Sequence, residues 1–294
     1  MESTYGDRNH EAPDDYCAVL SEILNRTFAK GGNVIIPSFA VGRTQELLFF
    51  FREIQERKLV AQEFPIIVDS PLAAEATEIF SGDLSGYLDQ EASALQARGV
   101  RLFTAGNTRL VLTSEESKQL NLDPTPKVII SASGMCDAGR IRHHLKHNLW
   151  RPECTVVFVG YQAQGSLGRA LQEGKQRVRL FGEEVMVRAS IETFHGLSSH
   201  ADHDHLLRWA QQFRDPERVF VVHGDDAVSQ QFAGELRSLG YRAHAPQYLE
   251  AYDLSTGQLL KEGVAPVKKR PTAQDSRQYR ALEEAGRQLK AILA

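Results

Sequence analysis

Eight consecutive residues, Ser198-Ser199-His200-Ala201-Asp202-His203-Asp204-His205, hold three imidazoles, two carboxylates and two hydroxyls. Imidazoles titrate near neutrality and bind metal through either ring nitrogen, while carboxylates accept protons or bridge cations. Ser198-x-His200-x-Asp202-His203 is one residue short of the zinc pattern His-x-His-x-Asp-His. The stretch could therefore be a metal site of its own, built on His200, Asp202, His203 and His205, or an acid–base group standing beside a metal held elsewhere.

Other residues offer partial chemistry. His223 ends the apolar run Val219-Phe220-Val221-Val222 and precedes Gly224-Asp225, where the glycine permits close approach and a carboxylate follows. Glu2, followed by Ser3-Thr4-Tyr5-Gly6, places a carboxylate before a polar turn. Gly160-x-x-x-x-Gly165-Ser166 has the outline of a phosphate loop but lacks the lysine that would hold the β- and γ-phosphates, so it reads better as a turn lining a nucleic-acid groove. Arg140, His143, His144 and His147 share one helical face. No carboxylate or thiolate lies three or four residues away to complete a metal site, so this face is expected to be basic or simply solvated.

These groups must be carried by something, and the pattern says what. Short β-branched runs at Val34–Pro37, 65–68, 100–103, 127–130, 155–159 and 219–222 alternate with amphipathic helical stretches. That alternation is the pattern of a parallel sheet covered by helices, an α/β fold. A further strand is expected over 185–191. Three of the strands run into small or polar residues just before a helix: Phe39-Ala40-Val41-Gly42-Arg43, Ser131-Ala132-Ser133-Gly134-Met135 and Gly160–Ser166. In open parallel sheets the carboxyl ends of strands line the ligand crevice, and helix N-termini there suit phosphate. The plain alternative is tight turns that need glycine.

Composition narrows the classes. The chain has 294 residues, 42% of them hydrophobic and 24% charged, enough for two domains with a substantial core. A net charge of −4 gives no global attraction to nucleic acid, so RNA contacts must come from local basic groups. Cys17, Cys136 and Cys154 lack the spacing of a disulfide framework or thiolate zinc finger. No signal peptide or membrane-length apolar run is evident, and a cytoplasmic, non-membrane protein is expected.

Taken in order, Glu2-Ser3-Thr4-Tyr5-Gly6, Phe39-Ala40-x-Gly42-Arg43-x-Gln45-Glu46-Leu47-Leu48, Ser133-Gly134-Met135, Gly160-Tyr161-Gln162, Ser198-x-His200-Ala201-Asp202 and Val222-His223-Gly224 resemble the β-CASP branch of the metallo-β-lactamase fold. That branch includes the pre-mRNA 3′-end cleavage endonuclease and its bacterial and archaeal relatives. The resemblance covers residue 1 to about 255. It implies a β-CASP parallel-sheet domain plus the carboxy-terminal part of a metallo-β-lactamase αββα sandwich. It also implies a ribonuclease working with two zinc ions, whose metal-bound hydroxide attacks phosphorus. Glu2 then matches motif A and His200 motif B, the pair acting at the scissile phosphate with His200 as general acid. His223 matches motif C, a zinc ligand, and His203 and His205 become bystanders at a helix start. Arg43, Ser133, Gly134, Met135 and Arg140 are expected to contact the RNA backbone.

The departure from the family pattern is large. The main zinc-ligand motif, His-x-His-x-Asp-His, lies upstream of motif A in the family and is not found in this chain. The expectation is an amino-terminally truncated chain that does not fully ligand its zinc. Residues 1–6 would be a remnant metallo-β-lactamase strand, 7–195 the β-CASP domain, 196–258 the carboxy-terminal metallo-β-lactamase part, and 259–294 a linker and charged terminal helix. The alternative is a non-catalytic RNA-binding or scaffold β-CASP subunit. Expected partners are RNA and, as one option, a second copy in a homodimer. Strands near 185–191 and 219–222 are expected to show apolar faces and unpaired edges.

Overall fold

The computed structural model of the chain describes residues 1–264 apart from 12 and 85, so most of the expected linker and terminal helix lies outside the described residues. The chain divides into two compact units. One is residues 8–206, and the other joins residues 1–7 to the described residues from Leu207 to 264.

In the first unit, α1 (Tyr16–Phe28), β1 (Val34–Pro37), α2 (Arg43–Glu56), β2 (Ile66–Asp69), α3 (Pro71–Phe80), α4 (Gln90–Ala97), β3 (Thr108–Leu110), α5 (Ser114–Gln119), β4 (Val128–Ser131), α6 (Ile141–Asn148), β5 (Thr155–Phe158), α7 (Leu167–Gln172), β6 (Arg177–Leu180), β7 (Glu183–Met186) and β8 (Ser190–Thr193) follow in order. Six strands form one sheet in the order β3-β2-β4-β1-β5-β8. Every neighbouring pair in it is parallel.

The sheet is covered on both faces, and strand alternation shows how. Val34 and Ile36, Ile66 and Val68, and Val128 and Ile130 join the core that contains α1 and α2. The residues between them, Ile35, Ile67 and Ile129, join the opposite core with Ile141, Leu145 and Leu171. This two-sided burial explains why the strands read as near-continuous apolar runs. Caps fix the helix starts: Ser70 accepts from the amide of Ala73 with Pro71 at the first helical position, and Ser166 accepts from the amide of Arg169.

Two expected strands differ. Residues 100–103 form no strand. The edge position beside β2 is taken by Thr108–Leu110, while Leu102 is buried and Phe103 packs edge-on to Phe80. The expected strand over 185–191 is two elements. Glu183–Met186 closes an antiparallel hairpin with β6, then the amides of Arg188 and Ala189 bond to the carbonyl of Leu149, and Ser190–Thr193 joins the parallel sheet.

After α8 (His203–Ala210), the second unit contains β9 (Val219–Phe220), α9 (Asp226–Ser238), β10 (Ala243–His244), β11 (Ala251–Tyr252) and β12 (Leu259–Lys261). β9 pairs in parallel with β10, and β11 pairs antiparallel with β12. Glu2 forms a parallel bridge with Val222, so the first residues add to the β9 edge. Val221 is buried and Val222 half exposed.

Candidate functional site

Three neighbouring strands of the parallel sheet, β4, β1 and β5, deliver three loops to its carboxyl edge. The β1–α2 loop, Ser38–Gly42, is pinned from below. Buried Thr44 donates its hydroxyl to the carbonyl of Phe39 at 2.7 Å, and buried Gln45 donates to the carbonyl of Ala40 at 3.2 Å. Gly42 has φ +82°, a conformation that favours glycine, and its amide donates to Gln45 Oε1 at 2.7 Å. Arg43 pairs with Glu46, and its side chain is largely buried. Burial pushes the Glu46 carboxyl above its ordinary range, against the pull of Arg43.

The β4–α6 loop carries Ser133, Gly134 and Met135, and the Ala132–Ser133 peptide is cis. Gly134 is buried, and its carbonyl accepts from Gln162 Nε2 at 2.9 Å. The same amide nitrogen also donates to the carbonyl of Tyr161 at 3.1 Å. Gln162 belongs to the β5–α7 loop and is itself buried, with Oε1 left without a hydrogen-bond partner among the described residues. Its amide fits only because residue 168 is glycine, where a Cβ would come within 1.7 Å of Oε1. The carbonyl of Met135 accepts from the amide of Gly168 at 3.1 Å.

Arg140 lies at the start of α6 with its side chain 21% exposed. Its guanidinium donates to Asp69 Oδ1 at 2.8 Å, to the carbonyl of Val111 at 3.1 Å and to the carbonyl of Leu112 at 2.8 Å. Most of its donors are thus spent inside the fold. The expected solvated histidine face is also revised. His144 is fully buried, with Nε2 2.6 Å from Asp69 Oδ2, while His143 stacks on Phe181. Sequence reasoning sought a carboxylate within the helix, but the partner comes from the end of β2. The alternation of Ile66-Ile67-Val68-Asp69 into a polar residue at a buried strand end was the available signal.

His200 sits in the residue 8–206 unit, in the segment before α8. Its amide donates to Ser198 Oγ at 3.1 Å, and its carbonyl accepts from His10 Nε2 at 2.9 Å. Asp202 caps α8: Oδ1 accepts from the amide of His205 at 3.0 Å and from His205 Nδ1 at 2.5 Å. Burial raises the Asp202 carboxyl, but the amide and ring of His205 and the amide of His10 outweigh it and hold the group down at about 2. His203 begins the helix and pairs with Asp204. His10 is the residue the sequence undervalued here, since it contacts this segment from 190 positions away.

Glu2 and His223 lie in the other unit, on adjacent strand segments joined by the Glu2–Val222 bridge. Glu2 Oε2 accepts from the amide of Thr4 at 2.8 Å. Thr4 Oγ1 lies 3.1 Å from His223 Nδ1 and 3.0 Å from the carbonyl of His223. His223 has φ +57°, in the left-handed region that non-glycine residues adopt at a cost. Gly224 makes the turn possible, since a Cβ there would lie 2.5 Å from Ser3 Oγ and 2.7 Å from the Ser3 carbonyl. Where the Thr4 hydroxyl donates to that carbonyl, it accepts from Nδ1–H, and a neutral ring then carries its lone pair on Nε2. That is the nitrogen a metal would take. Neither unit by itself brings three such ligand groups together among the described residues, and a catalytic zinc takes about three. The residues of either unit alone do not fit a zinc. The three cysteines are free and buried, so none compensates.

Comparison with known proteins gives this geometry a context. Residues 44–171 match the Beta-Casp domain, and residues 184–246 match the Zn-dependent metallo-hydrolase RNA specificity domain. The chain is 41% identical over 225 residues to Ribonuclease TTHA0252 of Thermus thermophilus, covering 76% of this chain and 51% of that protein. It is 31% identical over 264 residues to Transcription termination factor FttA of Pyrococcus abyssi, covering 86% of this chain and 40% of that one. An RNase J-like protein of Methanocaldococcus jannaschii is 31% identical over 236 residues, covering 79% and 53%. The chain thus spans about half the length, or less, of these curated relatives. Among the described residues no helix is long and apolar enough to cross a membrane.

Proposed function

The chain belongs to the β-CASP family of metallo-β-lactamase-fold ribonucleases, and on that premise we propose that it binds RNA and serves zinc-dependent hydrolysis of RNA phosphodiester bonds. In this reading residues 7–195 are the β-CASP domain, and residues 1–6 and 196–258 belong to the metallo-β-lactamase part. The observation that supports it most is the Glu2–Val222 bridge. It sets a carboxylate and an imidazole suited to phosphodiester chemistry on adjoining strand segments of a family known by its ribonucleases.

Each residue has a role in the proposal. His200 protonates the leaving oxygen, a task an imidazole can perform from a ring nitrogen, and Glu2 is the carboxylate that the family pattern pairs with it. His223 offers one zinc ligand. Since the ligands of either unit do not complete a site, no step is assigned to the metal. Ser133, Gly134 and Met135 face the RNA backbone at the carboxyl edge of the sheet. Arg43 and Arg140 contribute through their exposed fractions and by shaping the loops, and binding weakens with salt.

The test is a pair of measurements on the purified chain with labelled single-stranded RNA: binding, and cleavage with added zinc or with chelator. Cleavage that chelator and His200→Ala both abolish, with binding retained, supports the reading. Binding without cleavage under any metal condition limits the chain by itself to RNA binding, the outcome its incomplete set of ligands predicts. Absence of binding overturns the reading.

A further inference from the structure

Phe39 is 53% exposed, at the end of β1, on a loop whose other residues explain why it stays where it is. Its carbonyl is held by Thr44 and the next carbonyl by Gln45, both side chains buried under the loop. The amide of Ser38 is tied to the carbonyl of Ser131 on β4 at 3.1 Å. The ring itself lies on Gly134: a Cβ at that position would stand 3.3 Å from two of the ring carbons. Gly134 is not among the glycines with positive φ, so its backbone does not require glycine. What requires it is the ring above. The floor under the ring is fixed in turn by Gln162.

Part of the Phe39 ring is therefore packed against the Gly134 backbone while the residue stays half exposed, with exposed Val41 (58%) two residues further along the same loop. A flat apolar ring, immobilised before any ligand arrives, pays little ordering entropy on binding. Its place at the carboxyl end of a parallel strand is where ligands of such sheets bind. Every nucleobase has a π-face, and stacking on exposed aromatics is how unpaired bases are held without sequence readout.

We propose that Phe39 is a stacking platform for one unpaired base of single-stranded RNA, so that the enzyme grips its substrate by a base as well as by the backbone. This inference rests on the RNA reading above and adds to it one residue that holds the substrate by a base. The β1–α2 loop recognises the base, and Gly134 is kept side-chain-free to seat the ring.

The experiment uses the whole chain and two RNA oligomers of equal length, one with a single 2-aminopurine and one with an abasic site in its place. Binding of the first should quench the fluorophore as it stacks. Phe39→Leu, which keeps apolar bulk and removes the π-face, should lower affinity for the base-bearing oligomer about 5- to 100-fold. It should leave affinity for the abasic oligomer and the slope of affinity against salt unchanged, because no phosphate contact is lost. Phe39→Trp should retain binding and quenching. Thermal midpoints equal to wild type show that the half-exposed site tolerates the changes. RNA binding in which Phe39→Leu weakens both oligomers alike, or neither, overturns the platform and leaves the RNA reading standing. No binding of either oligomer by the unmodified chain overturns both.

Discussion

Asp69 and His144 are joined in the buried centre of the parallel-sheet unit, Oδ2 to Nε2 at 2.6 Å, with both side chains closed to solvent. Ser117 Oγ donates to the same carboxylate oxygen at 2.5 Å, and Arg140 donates to the other at 2.8 Å. One carboxylate at the end of β2 thus ties together α5, α6 and the residues after β3. Burial alone would raise its titration point, but His144, Ser117 and Arg140 together overcome that and hold the carboxyl below its ordinary range.

Asp69→Asn should therefore cost about 3 kcal/mol, because it leaves Arg140 and His144 partly unpaired in a site water does not reach. The pH dependence has a defined sign. A carboxyl depressed in the folded state contributes stability above its unfolded pKa of about 3.9, and that contribution is lost as pH falls through the lower folded value. Thermal melts from neutrality down past pH ~4 should show a shallower acid loss in Asp69→Asn than in the parent. Parallel curves would show that the carboxylate is not ionised in the fold.

Gly168→Ala should unseat Gln162, since the new methyl would lie 1.7 Å from Oε1 of a side chain held by the carbonyls of Gly134 and Tyr161. A loss of about 1–3 kcal/mol is expected from overpacking and broken bonds, together with weaker RNA binding through the loosened Gly134 loop. Gly160→Ala is the control: nothing lies within 4 Å of its Cβ, and its φ is not positive. It should melt within a degree or two of the parent, and a Gly168→Ala variant that behaves the same would show Gln162 to be free to move.

Gly224→Ala tests the turn that carries His223. The added Cβ meets Ser3 Oγ at 2.5 Å and the Ser3 carbonyl at 2.7 Å. Because one obstacle is backbone, Ser3→Ala should fail to rescue the variant. The expected result is faster amide exchange at Val222, whose amide bonds to the carbonyl of Met1 at 2.9 Å, with exchange on β1 and β4 unchanged. Rescue by Ser3→Ala would mean the hydroxyl alone was in the way.

These residues also show where reading a sequence succeeds. The parallel sheet was legible because buried strands such as Val128–Ser131 are apolar on both faces, and the helices between them have caps and periodicity. The break at 187–189 was not, because one apolar run feeds a hairpin and then a sheet, and only tertiary bonding to the Leu149 carbonyl separates them. At the candidate site, motif resemblance assigned roles to Glu2, His200 and His223 but none to the groups that place them, although Thr4 and Gln162 stand inside the matched motifs. His10, Thr4 and Gln162 act through bonds to carbonyls and rings far along the chain, and spacing holds no trace of such contacts. Arg140 holds a related lesson: a lone arginine at a helix start reads as wholly available, and its bonds to Asp69 and to the carbonyls of Val111 and Leu112 leave no mark in the sequence.

Asp202 supports the last prediction, which separates a helix cap from a positioning role. Its carboxylate, held at about 2, accepts from the amide and ring of His205 and from the amide of His10, whose ring donates to the carbonyl of His200. Asp202→Ala removes the cap of α8 and should cost about 1–2 kcal/mol at neutral pH. Because the folded carboxyl is depressed, the parent's advantage should be full above about pH 4 and should shrink as pH falls toward 2. Asp202→Asn keeps an acceptor for the His205 amide but loses the charge, so it should retain most of the stability and little of the pH dependence. His10→Ala leaves the His10 amide on the cap and removes the ring that donates to the His200 carbonyl. Its melting point should therefore stay close to the parent's while amide exchange in the 198–201 segment quickens. If His10→Ala instead destabilises α8 as much as Asp202→Ala does, His10 belongs to the cap and does not position His200.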